Sequence, residues 1–314
     1  MNITYIDPLS RGLQRMKKAL FQPFDITRWL AVGFTAFLAG LTDWDGGGGG
    51  GGGSRGKGHH GLGDITGFPY VAWDWLMDHP GWFLLIMSGI FFIFALTILL
   101  TWLSSRGKFM FLDNVVHDRA RVVKPWYEFR SLANSLFIWR FCYGLICFVL
   151  FISFFVFCFF IIYNIQQSGP PRLLMIFPIA GLFLVFLFMV IAAAYISLFL
   201  TDFVVPIMYK NNMTIIPAWG RFLSLFTRHS PCFLLYGVLV LALYIVVFLC
   251  ILVAGLLTCC IGFLVLIIPY IGSVILLPVS YTFRAFSLEF LAQFGPELTL
   301  FPQSESLASG DPSS

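Results

Sequence analysis

Long apolar runs separated by short charged stretches dominate the hydropathy pattern of this chain. Residues 82–103 and 141–163 contain no charged side chain, and Pro231 to Phe283 covers 53 residues without Asp, Glu, Lys or Arg. The hydrocarbon core of a bilayer is about 30 Å thick and takes about 20 apolar residues per helix. The pattern therefore predicts membrane-spanning helices.

Breaks in the apolar pattern divide it into six predicted spans. The first is the shortest, because only residues 29–42 lie between Arg28 and Asp43, so Arg28 and Trp44 must extend to the headgroups. A signal peptide cleaved at Ala39–Gly40 is the alternative, disfavoured by an N-terminal region that is too long. The spans are predicted at about 26–44, 82–103, 141–163, 173–201, 233–257 and 263–283.

An amphipathic helix is predicted near the N-terminus. Leu9, Leu13, Met16 and Leu20 share one face beside basic residues. Such a helix lies in the membrane interface or packs on the cytosolic ends of the bundle, and the two alternatives are compatible.

Two later segments repeat this plan. A shift of 93 residues aligns Trp126 with Trp219 and Tyr143 with Tyr236, among other identities. The predicted fold class is therefore all-α: a polytopic membrane protein with six transmembrane helices in three hairpin units, each preceded by a cytosolic interfacial amphipathic helix.

Composition supports a single membrane domain over residues 1–301. Hydrophobic residues make up 59% of the chain and charged residues 11%, against about 25% charged residues in a soluble domain, which excludes an ordinary soluble enzyme. The outer loop 45–67 contains the tract Gly46 to Gly53, which is expected to be a disordered linker. Residues 302–314 are rich in Ser, Pro and Gly and are predicted to form a disordered tail.

The distribution of Lys and Arg indicates the orientation. All but three of the 19 basic residues fall in the two terminal segments and the second and fourth loops; the exceptions are Arg55, Lys57 and Arg172. The positive-inside rule then places both termini in the cytosol. Membrane lipid is the expected partner, another membrane protein is the second, and no nucleic-acid partner is expected.

Candidate chemistry is sparse. His59 and His60 with Asp64 are potential metal ligands, but a glycine-rich loop cannot preorganise them. Asp113 and His117 are one helical turn apart, close to Asp118, and such a group is more often a solvated surface cluster than an acid/base site. The sequence therefore assigns no catalytic, cofactor-binding or metal residue and no cofactor.

Spans two to six contain no ionisable Asp, Glu, Lys, Arg or His within their apolar stretches. Transporters coupled to protons or ions usually place such residues inside their spans, so this class is disfavoured. Asp202 and Arg284, at two span ends, are predicted to pair and to connect the fourth span with the sixth.

Several short segments together carry a family resemblance. They are Ala19 to Phe24 with Arg28 to Leu30, Gly262-Phe263, Pro269 to Gly272, Leu277-Pro278, Phe283 to Leu288, and Phe290 to Pro296. These segments resemble an uncharacterised bacterial family of multipass membrane proteins, which is distantly similar to the membrane domain attached to some glycerophosphodiester phosphodiesterases. The resemblance implies the fold and a bacterial cytoplasmic (inner) membrane location. It carries over no catalytic residue, because it does not include the soluble phosphodiesterase domain.

The function expected from these patterns is a non-enzymatic membrane scaffold or partner subunit. A facilitator or exporter of an apolar or lipid-like substrate is the first alternative. The second is an enzyme that acts on lipid headgroups at the cytosolic face through Asp113, His117 and Asp118.

Overall fold

The computed structural model describes residues 4–22, 24–42, 77–168, 176–258 and 261–301. Three predictions lie outside these residues: the glycine-rich loop 45–67 with His59, His60 and Asp64, the interfacial position of Trp44, and the tail 302–314.

Every regular element among the described residues is a helix, which confirms the all-α prediction for that part of the chain. Helix α1 covers Ile6–Phe21 and α2 covers Ile26–Gly40. They precede the long α3 (Pro80–His117), the short α4 (Val123–Glu128) and the long α5 (Arg130–Ser168). Helix α6 (Ile176–Phe199) continues through a π-helix (Leu200–Val204) into α7 (Val205–Asn211). Then follow α8 (Ile215–Leu257), α9 (Ile261–Ile267), α10 (Pro269–Ile275), α11 (Leu277–Ala292) and a short 3-10 helix (Pro296–Leu298).

Four helices among the described residues are long and apolar enough to cross a membrane. They are the segments Pro80–His117, Arg130–Ile161, Ala180–Asn211 and Ile215–Leu257. They contain the predicted spans 82–103 and 233–257 and overlap most of the predicted spans 141–163 and 173–201. Their length and apolar surface mark the chain as a membrane protein.

Helix α2, in the region of the first predicted span, has 15 residues and is shorter than these four. The side chain of Asp25 caps it by accepting a hydrogen bond from the Thr27 amide at 2.9 Å. The guanidinium of Arg28 donates to the carbonyl and to the carboxylate of Asp118 at 2.6 and 2.5 Å. The N-terminal end of α2 is therefore fixed by a contact within the protein.

The sixth predicted span, 263–283, lies in three successive helices rather than one. The breaks fall at Ile268 and Leu276, where α9 gives way to α10 and α10 to α11. Ile268 has an extended backbone, with ψ of 112°. A proline disfavours the helical conformation in the residue before it, and Pro269 follows Ile268 directly. Pro278 lies in the first turn of α11, a position that tolerates the missing amide hydrogen.

Contacts divide the described residues into two compact units. The first unit, residues 4–42, 101–140 and 195–301, contains the buried hydrophobic core. Aromatic rings from the π-helix, α8 and α11 meet there: the ring centroids of Phe203 and Phe222 are 5.6 Å apart, and those of Tyr236 and Phe290 are 4.7 Å apart.

The second unit consists of residues 77–100, 141–168 and 176–194. Helices α5 and α6 contact each other through the rings of Phe154 and Phe186, 5.6 Å apart, and the Tyr143 hydroxyl donates to the Ala193 carbonyl at 3.0 Å. Most of the apolar side chains here face outward; Phe91 and Phe188 are about three-quarters exposed.

Helix α1 belongs to the first unit and packs against α11. Leu20 of the predicted apolar face is buried and Leu9 and Met16 pack against the core, whereas Leu13 is about half exposed. Pro8, Gly12 and Ala19 are buried as well. A Cβ atom on Gly12 would lie 3.1 Å from the Phe286 amide nitrogen, which shows how closely the two helices approach. Helix α1 thus packs on another helix of the chain, and its position relative to the membrane stays a prediction.

Candidate functional site

Charged side chains from the ends of different predicted spans meet around Asp202. This residue lies in the π-helix, a wide turn of a kind that is frequent at functional sites. The Tyr236 hydroxyl of α8 donates to Asp202 Oδ2 at 2.9 Å, and Nη1 of Arg284 on α11 lies 3.9 Å from Asp202 Oδ1. The predicted pairing of Asp202 with Arg284 is confirmed.

Two buried cations complete this group, which we call the Asp202 cluster: Lys108, Thr201, Asp202, Tyr236 and Arg284. Arg284 donates to the Thr201 carbonyl at 2.6 Å, and the fully buried Lys108 of α3 donates to Thr201 Oγ1 at 2.9 Å. Burying a cation costs several kcal/mol unless acceptors surround it. The cluster therefore fixes α3, the π-helix, α8 and α11 to one another.

A polar cleft of about 120 Å³ opens near the C-terminal end of α3. Asp113 Oδ1 accepts a hydrogen bond from the Tyr209 hydroxyl at 2.7 Å and lies 3.1 Å from His117 Nδ1. The same hydroxyl is 3.3 Å from His117 Nδ1. We call this place the Asp113 cleft; its other lining residues are Arg119, Arg121, Lys124, Pro125, Glu128 and Phe129.

Tyr209 keeps its proton in this cleft. Its hydroxyl donates a hydrogen bond to Asp113 Oδ1 at 2.7 Å. The hydroxyl is therefore a donor that orients the Asp113 carboxylate. Arg119, Arg121 and Lys124 line the cleft, so it can attract a small anion. Asp113 and His117 are placed to transfer a proton to or from such an anion.

Asp118 does not belong to the cleft, which corrects the predicted grouping with Asp113 and His117. Helix α3 ends at His117, and Asp118 has a left-handed backbone with φ of 51°. The chain turns there, and the carboxylate of Asp118 pairs with Arg28. Tyr209 takes the third position beside Asp113 and His117.

The Asp113 cleft and all of the Asp202 cluster except Arg284 lie within the range matched by a recognised family. A family of unknown function (DUF7544) matches residues 3–280. The chain belongs to this family. No curated protein and no solved structure matches it. The match to DUF7544 includes the Asp113 cleft and Asp202 but ends before Arg284 and Glu289.

Neither site offers this member of DUF7544 an evident metal centre. No group of three or more His, Cys, Asp or Glu side chains among the described residues could hold a metal ion. The described cysteines are free thiols, as their positions in or beside apolar runs predict: Cys142, Cys147, Cys158, Cys232 and Cys250. The adjacent Cys259 and Cys260 lie outside the described residues.

Two residues of these sites, Lys108 and Tyr209, were not predicted. Lys108 follows Arg106 just after an apolar stretch and has the sequence signature of an ordinary interfacial cation. Its partner Thr201 lies 93 positions later in the chain, outside the repeated segments that begin at Trp126 and Trp219. Sequence proximity does not connect Tyr209 with Asp113 either.

Proposed function

We propose that this member of DUF7544 is a six-span protein of the bacterial cytoplasmic membrane, with both termini in the cytosol. The four long apolar helices supply the second to the fifth crossing. Helix α2 and the interrupted segment 261–292 supply the first and the last. The concentration of Lys and Arg in the segments placed on the cytosolic side supports this orientation.

Its function, in this proposal, is that of a non-enzymatic scaffold or partner subunit that organises lipid or another membrane protein. The observation that supports this function is the exposure of the candidate spans. The most apolar stretches of Pro80–His117 and Arg130–Ile161 contain no buried residue. A channel or transporter surrounds its pathway with packed spans. Here the apolar side chains need lipid or another protein to cover them.

The first unit provides the rigid part of such a scaffold. The Asp202 cluster joins four elements, and Glu289 of α11 accepts a charge-assisted hydrogen bond from Arg15 of α1 at 2.6 Å. Polar contacts between helices stabilise membrane proteins by about 1 kcal/mol each. A body held by several of them presents a fixed surface to a partner.

We also propose that the resemblance to the membrane domain attached to some glycerophosphodiester phosphodiesterases reflects a shared membrane architecture. No shared chemistry is part of this proposal, because the resembling segments carry no catalytic residue.

Site-specific photo-crosslinking in living cells tests the scaffold function. A photoreactive phenylalanine analogue replaces Phe91 or Phe188 in separate proteins, and the fully buried Phe203 serves as the matched control. We expect discrete adducts with a protein, or adducts with lipid alone, at the two exposed positions and none at Phe203. Movement of a fluorescent lipid or an apolar solute across liposomes that contain the purified protein would contradict the scaffold function and favour the facilitator.

The hydrogen-bonded group Asp113, His117 and Tyr209 favours one second candidate, an enzyme that acts on lipid headgroups. The purified protein in phospholipid nanodiscs is incubated, and the lipids are analysed by mass spectrometry. A new lipid product that disappears in His117→Asn and in Asp113→Asn would establish this enzyme. An unchanged lipid profile is the result that the non-enzymatic proposal expects.

A further inference from the structure

A third polar site lies just after the apolar stretch 82–103, apart from the Asp113 cleft and the Asp202 cluster. Arg106 of α3 is only 8% exposed. Its guanidinium carbon lies 4.3 Å from the ring centre of Trp102 and 4.7 Å from that of Trp126. The two indole rings meet edge to face, with centroids 5.9 Å apart. Arg106 is therefore held in one place by cation–π contacts with two tryptophans.

This arginine has no carboxylate partner among the described residues. None of the salt bridges there includes Arg106 or Arg130. The Nε atom of Arg106 is buried and has no hydrogen-bond partner. Arg130, an exposed cation at the start of α5, follows Trp126 by four positions, and the ring of Trp126 lies against Arg106, so its positive charge opposes that of Arg106.

A buried cation with an unused donor and a like charge beside it is unfavourable by itself. Two arginines present planar N–H groups that match the oxygens of a phosphate group in a two-pronged contact. An anion of that chemistry at the terminal N–H groups would offset the repulsion between the two guanidinium groups and the cost of burying Arg106. The site is thus complementary to a phosphate group.

The position of the site indicates where the phosphate comes from. Tryptophan is enriched at the level of the lipid headgroups, and Trp102 ends one of the predicted spans. In the proposed orientation this end faces the cytosolic leaflet, which carries the anionic lipids of a membrane. A phospholipid of that leaflet would bring its phosphate to Arg106.

We propose that Arg106 and Arg130, framed by Trp102 and Trp126, bind the phosphate group of an anionic phospholipid. The inference rests on the proposed membrane orientation but not on the scaffold function. Inorganic phosphate has the same binding chemistry, so the experiment must separate the two sources.

Native mass spectrometry of the full chain in mixed micelles measures lipid binding directly. Phosphatidylglycerol and phosphatidylcholine are titrated against the wild type and three variants. Arg130→Gln removes an exposed cation, Arg106→Lys keeps the charge but loses the planar fork, and Arg228→Gln is the matched control for an exposed arginine elsewhere on the predicted cytosolic side. Melting temperatures show whether each variant folds.

We expect the wild type to bind one phosphatidylglycerol molecule more tightly than phosphatidylcholine. The affinity for phosphatidylglycerol should be about tenfold lower in Arg130→Gln and in Arg106→Lys and unchanged in Arg228→Gln. Equal affinities in all four folded proteins would overturn the site. Release of the lipid by millimolar inorganic phosphate would overturn the lipid source and assign the site to free phosphate. Absence of the full chain from the membrane fraction would defeat the proposed function itself, whereas membrane insertion without arginine-dependent binding defeats only this inference.

Discussion

At the scale of single residues, the buried charges lie where helices from distant parts of the chain touch. Glu289 is 7% exposed and accepts a hydrogen bond from Arg15 Nε at 2.6 Å, while the mostly exposed Arg11 is 3.9 Å away. Removal of one partner from a buried ion pair leaves an uncompensated charge, which costs far more than the loss of a surface pair. Substitutions at these contacts should therefore affect stability most.

Arg15→Met should lower the free energy of unfolding by about 2 kcal/mol, because it leaves Glu289 buried without its close partner. Arg15 also lies over the ring of Phe301, and its guanidinium carbon is 3.8 Å from the ring centroid of Phe301. Arg11→Met is the control and should change stability by less than about 0.5 kcal/mol. Equilibrium unfolding in mixed micelles measures both, and equal losses would contradict the assignment of Arg15 as the main partner.

Asp202→Asn should destabilise the protein by about 3 kcal/mol, since Arg284 loses its carboxylate in a buried place. Tyr236→Phe removes only a hydroxyl donor and should cost about 1 kcal/mol. The same unfolding assay compares the two variants. Wild-type stability of Asp202→Asn would show that the Asp202 cluster does not hold the helices together.

At the scale of elements, small residues set how closely the helices pack. A Cβ atom on Gly107 of α3 would lie 2.5 Å from the Ala39 amide nitrogen and from the Leu38 carbonyl carbon of α2. Ser104, one turn earlier on α3, donates to the Ala39 carbonyl at 2.8 Å. The pair α2 and α3 is thus held by backbone approach and a side-chain hydrogen bond, the usual means of helix association in membranes.

Gly107→Ala should reduce stability by about 2 kcal/mol, because the added methyl group meets backbone atoms that cannot move aside. Gly89→Ala on the same helix adds a methyl group that meets nothing within 4 Å. It should leave the melting temperature unchanged or raise it slightly, since alanine favours a helix over glycine. Similar melting temperatures for the two variants would exclude a close contact at Gly107.

The apolar stretches inside α3, α5, α6 and α8 could be predicted because hydropathy alone determines them. Hydropathy does not predict the π-helix at Asp202, whose partners Tyr236 and Arg284 lie far away in sequence. The breaks at Ile268 and Leu276 differ from the continuous span expected at 263–283, because Pro269 and Pro278 end helices there instead of only bending one.

The candidate site shows the same division between local and distant contacts. The pair Asp113 and His117 could be predicted from its helical spacing. Tyr209, 96 residues from Asp113, could not, because its place depends on how α7 packs beside α3. Asp118 was grouped with them by proximity in sequence, whereas the turn after His117 directs it to Arg28.

At the scale of the whole molecule, the described residues form one unit with a buried core and one with largely exposed apolar helices. Such helices are stable in a bilayer, where lipid covers them, and would aggregate in water. The contrast between the units is the physical basis of the proposed scaffold function.

Reporter fusions test the proposed orientation. Green fluorescent protein fused after Asn211 or Ser314 should fluoresce, because both positions are proposed to face the cytosol. Alkaline phosphatase fused after His60 or Gly169 should be active, since it folds only outside the cytoplasmic membrane. Phosphatase activity at Ser314 would reverse the orientation of the C-terminus.

Cryo-electron microscopy of the full chain in a lipid nanodisc tests the scaffold function most directly. We predict density from lipid or from a second protein against Phe91 and Phe188, and no water-filled passage between the spans. A ring of spans closed around a continuous passage would contradict the scaffold function and establish a transport pathway instead.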